Sequence, residues 1–153
     1  MKQLFFRISD LIWVIVLILI DRLAKIIVQV FLEQDKEIIL VKKIASLRLV
    51  LNEGAIFSLP FGRWILVLGT VIILVILGAL YLRGVFHRET ECLGVALVFA
   101  GAVGNLVDRL FWGRVIDWLS VSFWPAFNFA DVMIVFGVIL MGLGVFRVGK
   151  EIK

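Results

Sequence analysis

Four long apolar stretches make up more than half of this 153-residue chain, at about residues 11–32, 64–82, 92–110 and 127–146. A helix needs about 20 mostly apolar residues to cross the hydrocarbon core of a bilayer, and each stretch is of that order. The chain is 63% hydrophobic and 18% charged, with a mean hydropathy of +1.12. Soluble domains run near half apolar and a quarter charged, so a soluble enzyme, a disordered tail and a disulfide scaffold are all poor fits. Cys92 is the one cysteine and cannot form an internal disulfide. The net charge of +4 is what cationic membrane flanks produce, and no nucleic-acid partner is expected. The expectation is a single all-α membrane unit over residues 1–153, with four transmembrane helices and a small β element.

Lys2 and Arg7 ahead of an apolar run resemble the start of a signal peptide. No small-residue cleavage site follows Ile20, however, and the apolar pattern resumes after Asp21-Arg22. The segment therefore reads as an uncleaved first span. Four spans put both termini on one side, and the cations outside span one divide seven and seven between the two sides. The loop of about residues 33–62 is also acidic, whereas the termini and the 82–91 loop are short and basic. That contrast places the termini in the cytoplasm. Within the long loop, Ile38–Val41 and Leu47–Leu51 are strand-like runs bounded by turn residues, which suggests a small β structure on the membrane. Trp118, Phe123, Trp124 and Pro125 give the 113–126 loop the character of an interfacial segment.

This topology gathers the expensive residues into one layer. Asp21, Arg22 and Lys25 lie in the outgoing half of span one; Asn105, Asp108 and Arg109 close span three; Asp117 follows; Asn128 and Asp131 open span four. Ionisable groups inside a bilayer cost about 2.5–3.5 kcal/mol each on insertion scales, so a shared depth points to a shared site. Asp21 and Lys25, four residues apart, can form an ion pair, and Asp108–Arg109 can be a second structural pair. Asp117 and Asp131 have no base at helical spacing in their own segments. Asn128-x-x-Asp131 can form a capping box behind Pro125, which accounts for Asp131 but not for Asp117. Spacing alone leaves a structural pair and a catalytic pair both open.

Covalent acyl transfer is disfavoured. Ser58, Ser120 and Ser122 would need Lys25 as base, and Asp21 holds that amine charged; the single histidine, His87, belongs to the opposite loop. Two carboxyl groups brought close share one proton, so one can activate water while the other polarises a carbonyl. No metal or cofactor is called for. The rivals are an ion- or proton-coupled transporter, for which span two offers no polar relay, and a non-enzymatic membrane subunit that binds a partner helix.

Five short motifs resemble those of the lipoprotein signal peptidase family, bacterial signal peptidase II, over about residues 21–134. They are Asp21-Arg-Leu-Ala-Lys25, Asn52-Glu-Gly54-Ala55-Ile-Phe57, Gly101-Ala-Val-Gly104-Asn105-Leu-Val-Asp108-Arg109, Gly113-Arg-Val115-Ile-Asp117 and Phe127-Asn128-Phe-Ala130-Asp131. The resemblance implies a monomeric aspartic endopeptidase of the bacterial inner membrane, with four spans, an extracytoplasmic β-cradle and a short interfacial helix. Its substrate would be a lipidated prolipoprotein drawn from membrane lipid, cut before the modified cysteine. By the motifs, Asp117 and Asp131 would be catalytic. Asn52, Gly54, Asn105, Asp108, Arg109, Asn128 and Ala130 would shape the pocket, with Asp21 and Lys25 in support. Arg22 stands where the family usually has glutamine, Ser58 where glycine is common, and Ala100 where a glycine often precedes Gly101. The stretch between the two acids is also short for the family.

Overall fold

The computed structural model describes residues 8–32, 36–54 and 62–151. Ala55, Phe57 and the Ser58 departure lie outside the described residues. Among the described residues, four long helices are interleaved with four short strands: α1 (Ile8–Phe31), β1 (Glu37–Val41), β2 (Ala45–Asn52), α2 (Arg63–Leu82), α3 (Glu89–Trp112), β3 (Val115–Val121), β4 (Trp124–Phe127) and α4 (Phe129–Glu151). Among the described residues, two helices are long and apolar enough to cross a membrane by length and composition, α2 with a mean hydropathy of 2.9 and α3 with 1.7. The other two expected spans are helical but fall short of that standard. Asp10, Asp21, Arg22 and Lys25 interrupt α1, and the apolar part described for α4 is the shorter Phe129–Gly144.

The central helix is α3, because its small residues let a neighbour approach closely. A Cβ on Gly94 would stand 2.7 Å from the Gly137 carbonyl oxygen, and one on Gly137 would stand 2.6 Å from that of Gly94. Gly101 meets the Ala130 carbonyl in the same way. Small residues at such crossings exchange side-chain volume for backbone contact. Ala100 packs fully buried in a cluster with Val14, Ala96, Ala130 and Met133. The α1–α3–α4 interior thus accepts a methyl group at this departure from the family pattern.

Polar contacts complete that packing. The Lys25 ammonium, fully buried, lies 2.7 Å from Asp21 Oδ2 on its own helix and 2.8 Å from Asp108 Oδ2 on α3. Its third partner is Asn105 Oδ1, 3.1 Å away. The other oxygen of Asp21 accepts the backbone N–H of Ala130 at 3.0 Å. In the first turn of α4 that N–H has no partner within the helix, and a carboxylate there also meets the positive end of the helix dipole.

The strands form one antiparallel sheet in the order β1-β2-β3-β4. The 37–52 segment supplies the expected small β structure as a hairpin, β1–β2. The short helix implied by the resemblance is not found among the described residues; the 113–126 segment, expected to be interfacial, forms the second hairpin, β3–β4. The reason lies in Val115-Ile-Asp-Trp-Leu-Ser-Val121, a β-branched and aromatic run that suits a pleated surface better than a helix. Pairing it with β2 (Asn52 against Val115, Leu51 against Ile116, Val50 against Asp117) satisfies an edge that one hairpin would leave open. The sheet rests on the end of α1 through Val28, Leu32 and Trp118, and Trp118 meets Phe129 edge-on at 4.8 Å between ring centroids.

Lys25→Met removes the one cation that touches both buried carboxylates. Breaking a buried pair from one side costs about 3–5 kcal/mol. Thermal unfolding in detergent is expected to show a large drop for Lys25→Met and a smaller one for Arg22→Gln, whose guanidinium is partly exposed.

Candidate active site

Helix α3 ends where the site begins. Gly113 takes φ 76°, and its N–H closes on the Arg109 carbonyl. This left-handed stop turns the chain directly into β3. Alternation along β3 then sets Val115 and Asp117 toward a cavity and Trp118 toward α1. From the other direction, Asn128 and Asp131 form the expected capping box at the start of α4. Asp131 N–H donates to Asn128 Oδ1 at 3.0 Å, and Asn128 N–H donates to Asp131 Oδ2 at 3.1 Å.

The carboxyl groups of Asp117 and Asp131 line the same cavity of about 320 Å³, together with Asn52, Asn105, Arg109 and the apolar walls of Val98, Ala102, Ile134, Trp124 and Phe127. Amides hold both acids. Asn128 Nδ2 donates to Asp117 Oδ1 at 2.7 Å, and Asn52 Nδ2 donates to Asp117 Oδ2 at 2.9 Å. Asn105 Nδ2 donates to Asp131 Oδ1 at 2.8 Å. Asn105 Oδ1 accepts from Lys25, which fixes which end of that amide faces Asp131. Asn52 Oδ1 accepts Gly54 N–H at 3.0 Å, and the Gly54 backbone carbonyl in turn accepts from Arg109 Nη2 at 3.4 Å. Nearly all the candidate residues therefore belong to one connected network.

Burial pushes the Asp117 carboxyl from its ordinary 3.8 up to about 7. The hydrogen bond from Asn52 opposes this, the neighbouring Asp131 charge adds to it, and Asn128 and Lys25 oppose it again. A carboxyl raised into the neutral range suits a group that must both donate and release a proton.

Two details depart from the sequence reading. Asp108 and Arg109 do not pair with each other, because adjacent helical residues point about 100° apart. Asp108 bonds Lys25 and Arg22 on α1, while Arg109 reaches Gly54 and the cavity. Arg22, which the spacing did not single out, ion-pairs with Asp108 and stacks 4.2 Å from the centroid of Trp112. The signal for it was electrostatic: Lys25 alone cannot neutralise both Asp21 and Asp108. Asp21, Lys25 and Ala130 lie just behind the cavity wall. Among the described residues there is no group of three or more His, Cys, Asp or Glu side chains able to hold a metal ion.

A family model described as signal peptidase (SPase) II matches residues 13–147. A lipoprotein signal peptidase of Rhodococcus jostii is 41% identical over 128 residues, covering 79% of this chain and 64% of the relative. That of Desulfitobacterium hafniense is 38% identical over 150 residues, covering 94% and 98%. Among solved structures, one described as a bacterial membrane enzyme has a TM-score of 0.90 at 23% identity and covers 100% of this chain and 96% of its own. A second, described in the same terms, has a TM-score of 0.83 at 24% identity, covering 95% and 97%. With the whole interior from Trp13 to Arg147 matched, the chain belongs to the signal peptidase II family.

Proposed function

We propose that this chain is a membrane aspartic endopeptidase that removes the signal peptide from diacylglyceryl-modified prolipoproteins, cutting before the lipidated cysteine, with Asp117 and Asp131 as the catalytic pair. The observation that carries this is two carboxyl groups from different elements opening onto one apolar-walled cavity, each oriented by asparagine amides. The family relationship supplies the substrate.

In its protonated form Asp117 hydrogen-bonds the scissile carbonyl and polarises it. Asp131 accepts a proton from the attacking water, whose oxygen forms the new bond to carbon. The tetrahedral intermediate collapses as the amide nitrogen gains a proton and the C–N bond breaks, and the pair returns to one shared proton. Asn52, Asn105 and Asn128 hold the acids while charge moves between them. Arg109 and Gly54, joined at the cavity mouth, contact substrate backbone.

All four helices span the bacterial inner membrane in this proposal. On α2 only Val67 and Leu77 are buried, as suits a helix surrounded by acyl chains. Arg22 and Lys25 of α1 turn inward onto Asp108 and Asn105, and Asp21 pairs with Lys25, so these mid-helix charges do not prevent it from spanning. Both termini are cytoplasmic, the sheet lies on the extracytoplasmic surface, and the protein acts as a monomer with no cofactor. A substrate with one signal helix and two acyl chains enters sideways from the bilayer and meets the acids at the interface.

Purified protein incubated with lipidated and unlipidated versions of one prolipoprotein is expected to cleave only the first. Asp117→Asn and Asp131→Asn should each remain folded and lower cleavage by about 10²–10⁴-fold, the usual contribution of a positioned acid or base. Near-normal turnover by either variant refutes the pair.

The sign of the pH dependence follows from the raised Asp117 carboxyl: its proton is present below about pH 7 and lost above it. kcat/KM should therefore fall as pH rises through about 7. Asn52→Ala removes a hydrogen bond that favours the ionised form, so it should move this alkaline limb to higher pH. A limb that stays in place overturns the assignment of Asp117 as the acid.

A further inference from the structure

The sheet carries a second cavity that the peptidase chemistry does not use. It encloses about 370 Å³ and is lined by Lys43 and Arg48, the hydroxyls of Ser46, Ser120 and Ser122, and Glu37. The pairing of the strands creates it. Ser46 faces Ser120 across β2–β3, Glu37 faces Arg48 across β1–β2, and the Ser122 N–H joins the Ile44 carbonyl at 2.9 Å, so the two hairpin tips lie side by side. Two cations, three hydroxyls and a single carboxylate leave the groove net positive and rich in donors, the composition of an anion site. Among the described residues, neither Lys43 nor Arg48 has an ion-pair partner.

The rim identifies the anion's source. Ile39, Ile44, Phe123 and Trp124 are 64%, 57%, 84% and 51% exposed around the groove. Exposed apolar and aromatic residues beside unpaired lysine and arginine match the boundary between acyl chains and headgroups, and a free anion in solution would need none of them. The backbone points the same way. Lys43 holds φ 63°, a left-handed conformation that asparagine or glycine adopts more readily, so a turn shaped only for its geometry has easier residues available.

We propose that this groove binds the phosphate of an anionic phospholipid headgroup while Ile44 and Phe123 enter the leaflet beside it. The site rests on the extracytoplasmic membrane placement proposed above. Trp124 lines both this groove and the cavity of Asp117 and Asp131, so a bound headgroup packs against the far side of the catalytic wall.

The test uses the full chain in detergent, titrated with dihexanoyl phosphatidylglycerol, dihexanoyl phosphatidylcholine or inorganic phosphate, with binding read by thermal shift. The same chain in nanodiscs with and without phosphatidylglycerol is then assayed for cleavage. The anionic lipid is expected to bind at least about tenfold more tightly than the zwitterionic one, in line with the attraction of individual cations to anionic surfaces. Lys43→Asn with Arg48→Gln should abolish that preference while leaving cleavage in detergent unchanged, which also shows that the variant is folded. Glu37→Gln should tighten anionic binding, and Lys42→Gln, outside the groove, should leave it as it was. Equal binding of the two lipids, binding of phosphate alone as tight as that of the anionic lipid, or an unchanged preference in the double variant would each overturn the site. Preferential lipid binding by a protein that cleaves nothing would overturn the peptidase reading and leave the groove standing.

Discussion

One ammonium group in a dry interior determines much of this structure. Lys25 has three N–H donors and finds three acceptors, on Asp21, Asp108 and Asn105, so none of its hydrogen-bonding capacity is left unused. Burial of an unpaired lysine would cost several kcal/mol, and that penalty forces α1 and α3 into one register. Asp21 extends the constraint to α4 through the Ala130 N–H. The glycines that bring α3 and α4 together permit this geometry, and the charges select it from among the crossings that small residues allow.

The same lysine acts on the site at one remove. Because Asn105 gives its oxygen to Lys25, its Nδ2 is available for Asp131, and Asn128 divides its donors between Asp117 and its neighbours. The two acids are therefore held by unlike surroundings. Asp117 sits on a buried strand between two amides, while Asp131 caps the helix it opens. Environments that differ in this way assign different protons to chemically identical groups. This is why Asn52, at the end of β2, matters to Asp117: with Asn128 it supplies the side-chain hydrogen bonds that the described residues make to that carboxyl.

The helices and the polar layer were legible in the sequence because both depend on local signals. Apolar length announces a helix, and charges inside it stand out against that background. The β1–β2 hairpin was visible for the same reason. The β3–β4 hairpin was not, because its aromatics carry two meanings. Trp118 and Trp124 are as typical of a membrane interface as of a strand, and only the unpaired edge of β2, a long-range fact, decides between them. Among the charges, the Asp21–Lys25 pair was legible from its four-residue spacing, whereas the pairing between helices was not. Asp108 is adjacent to Arg109 in sequence yet ion-pairs with Lys25 and with Arg22, 86 residues away.

Arg22 is also where this chain's departure from the family pattern has a physical consequence. Asp21 and Asp108 are balanced by Lys25 and Arg22, so the buried cluster behind the cavity is neutral as a set. A glutamine at position 22 would leave two carboxylates to one ammonium, and the surplus negative charge would lie one amide away from Asp131. Low-dielectric surroundings carry such a charge further than water would. The arginine offsets that surplus, and its stacking on Trp112 holds the guanidinium at the edge, where it can serve Asp108 without full desolvation. The raised Asp117 carboxyl then answers first to its own burial, and after that to the Asn52 amide, the Asp131 charge, the Asn128 amide and the Lys25 ammonium.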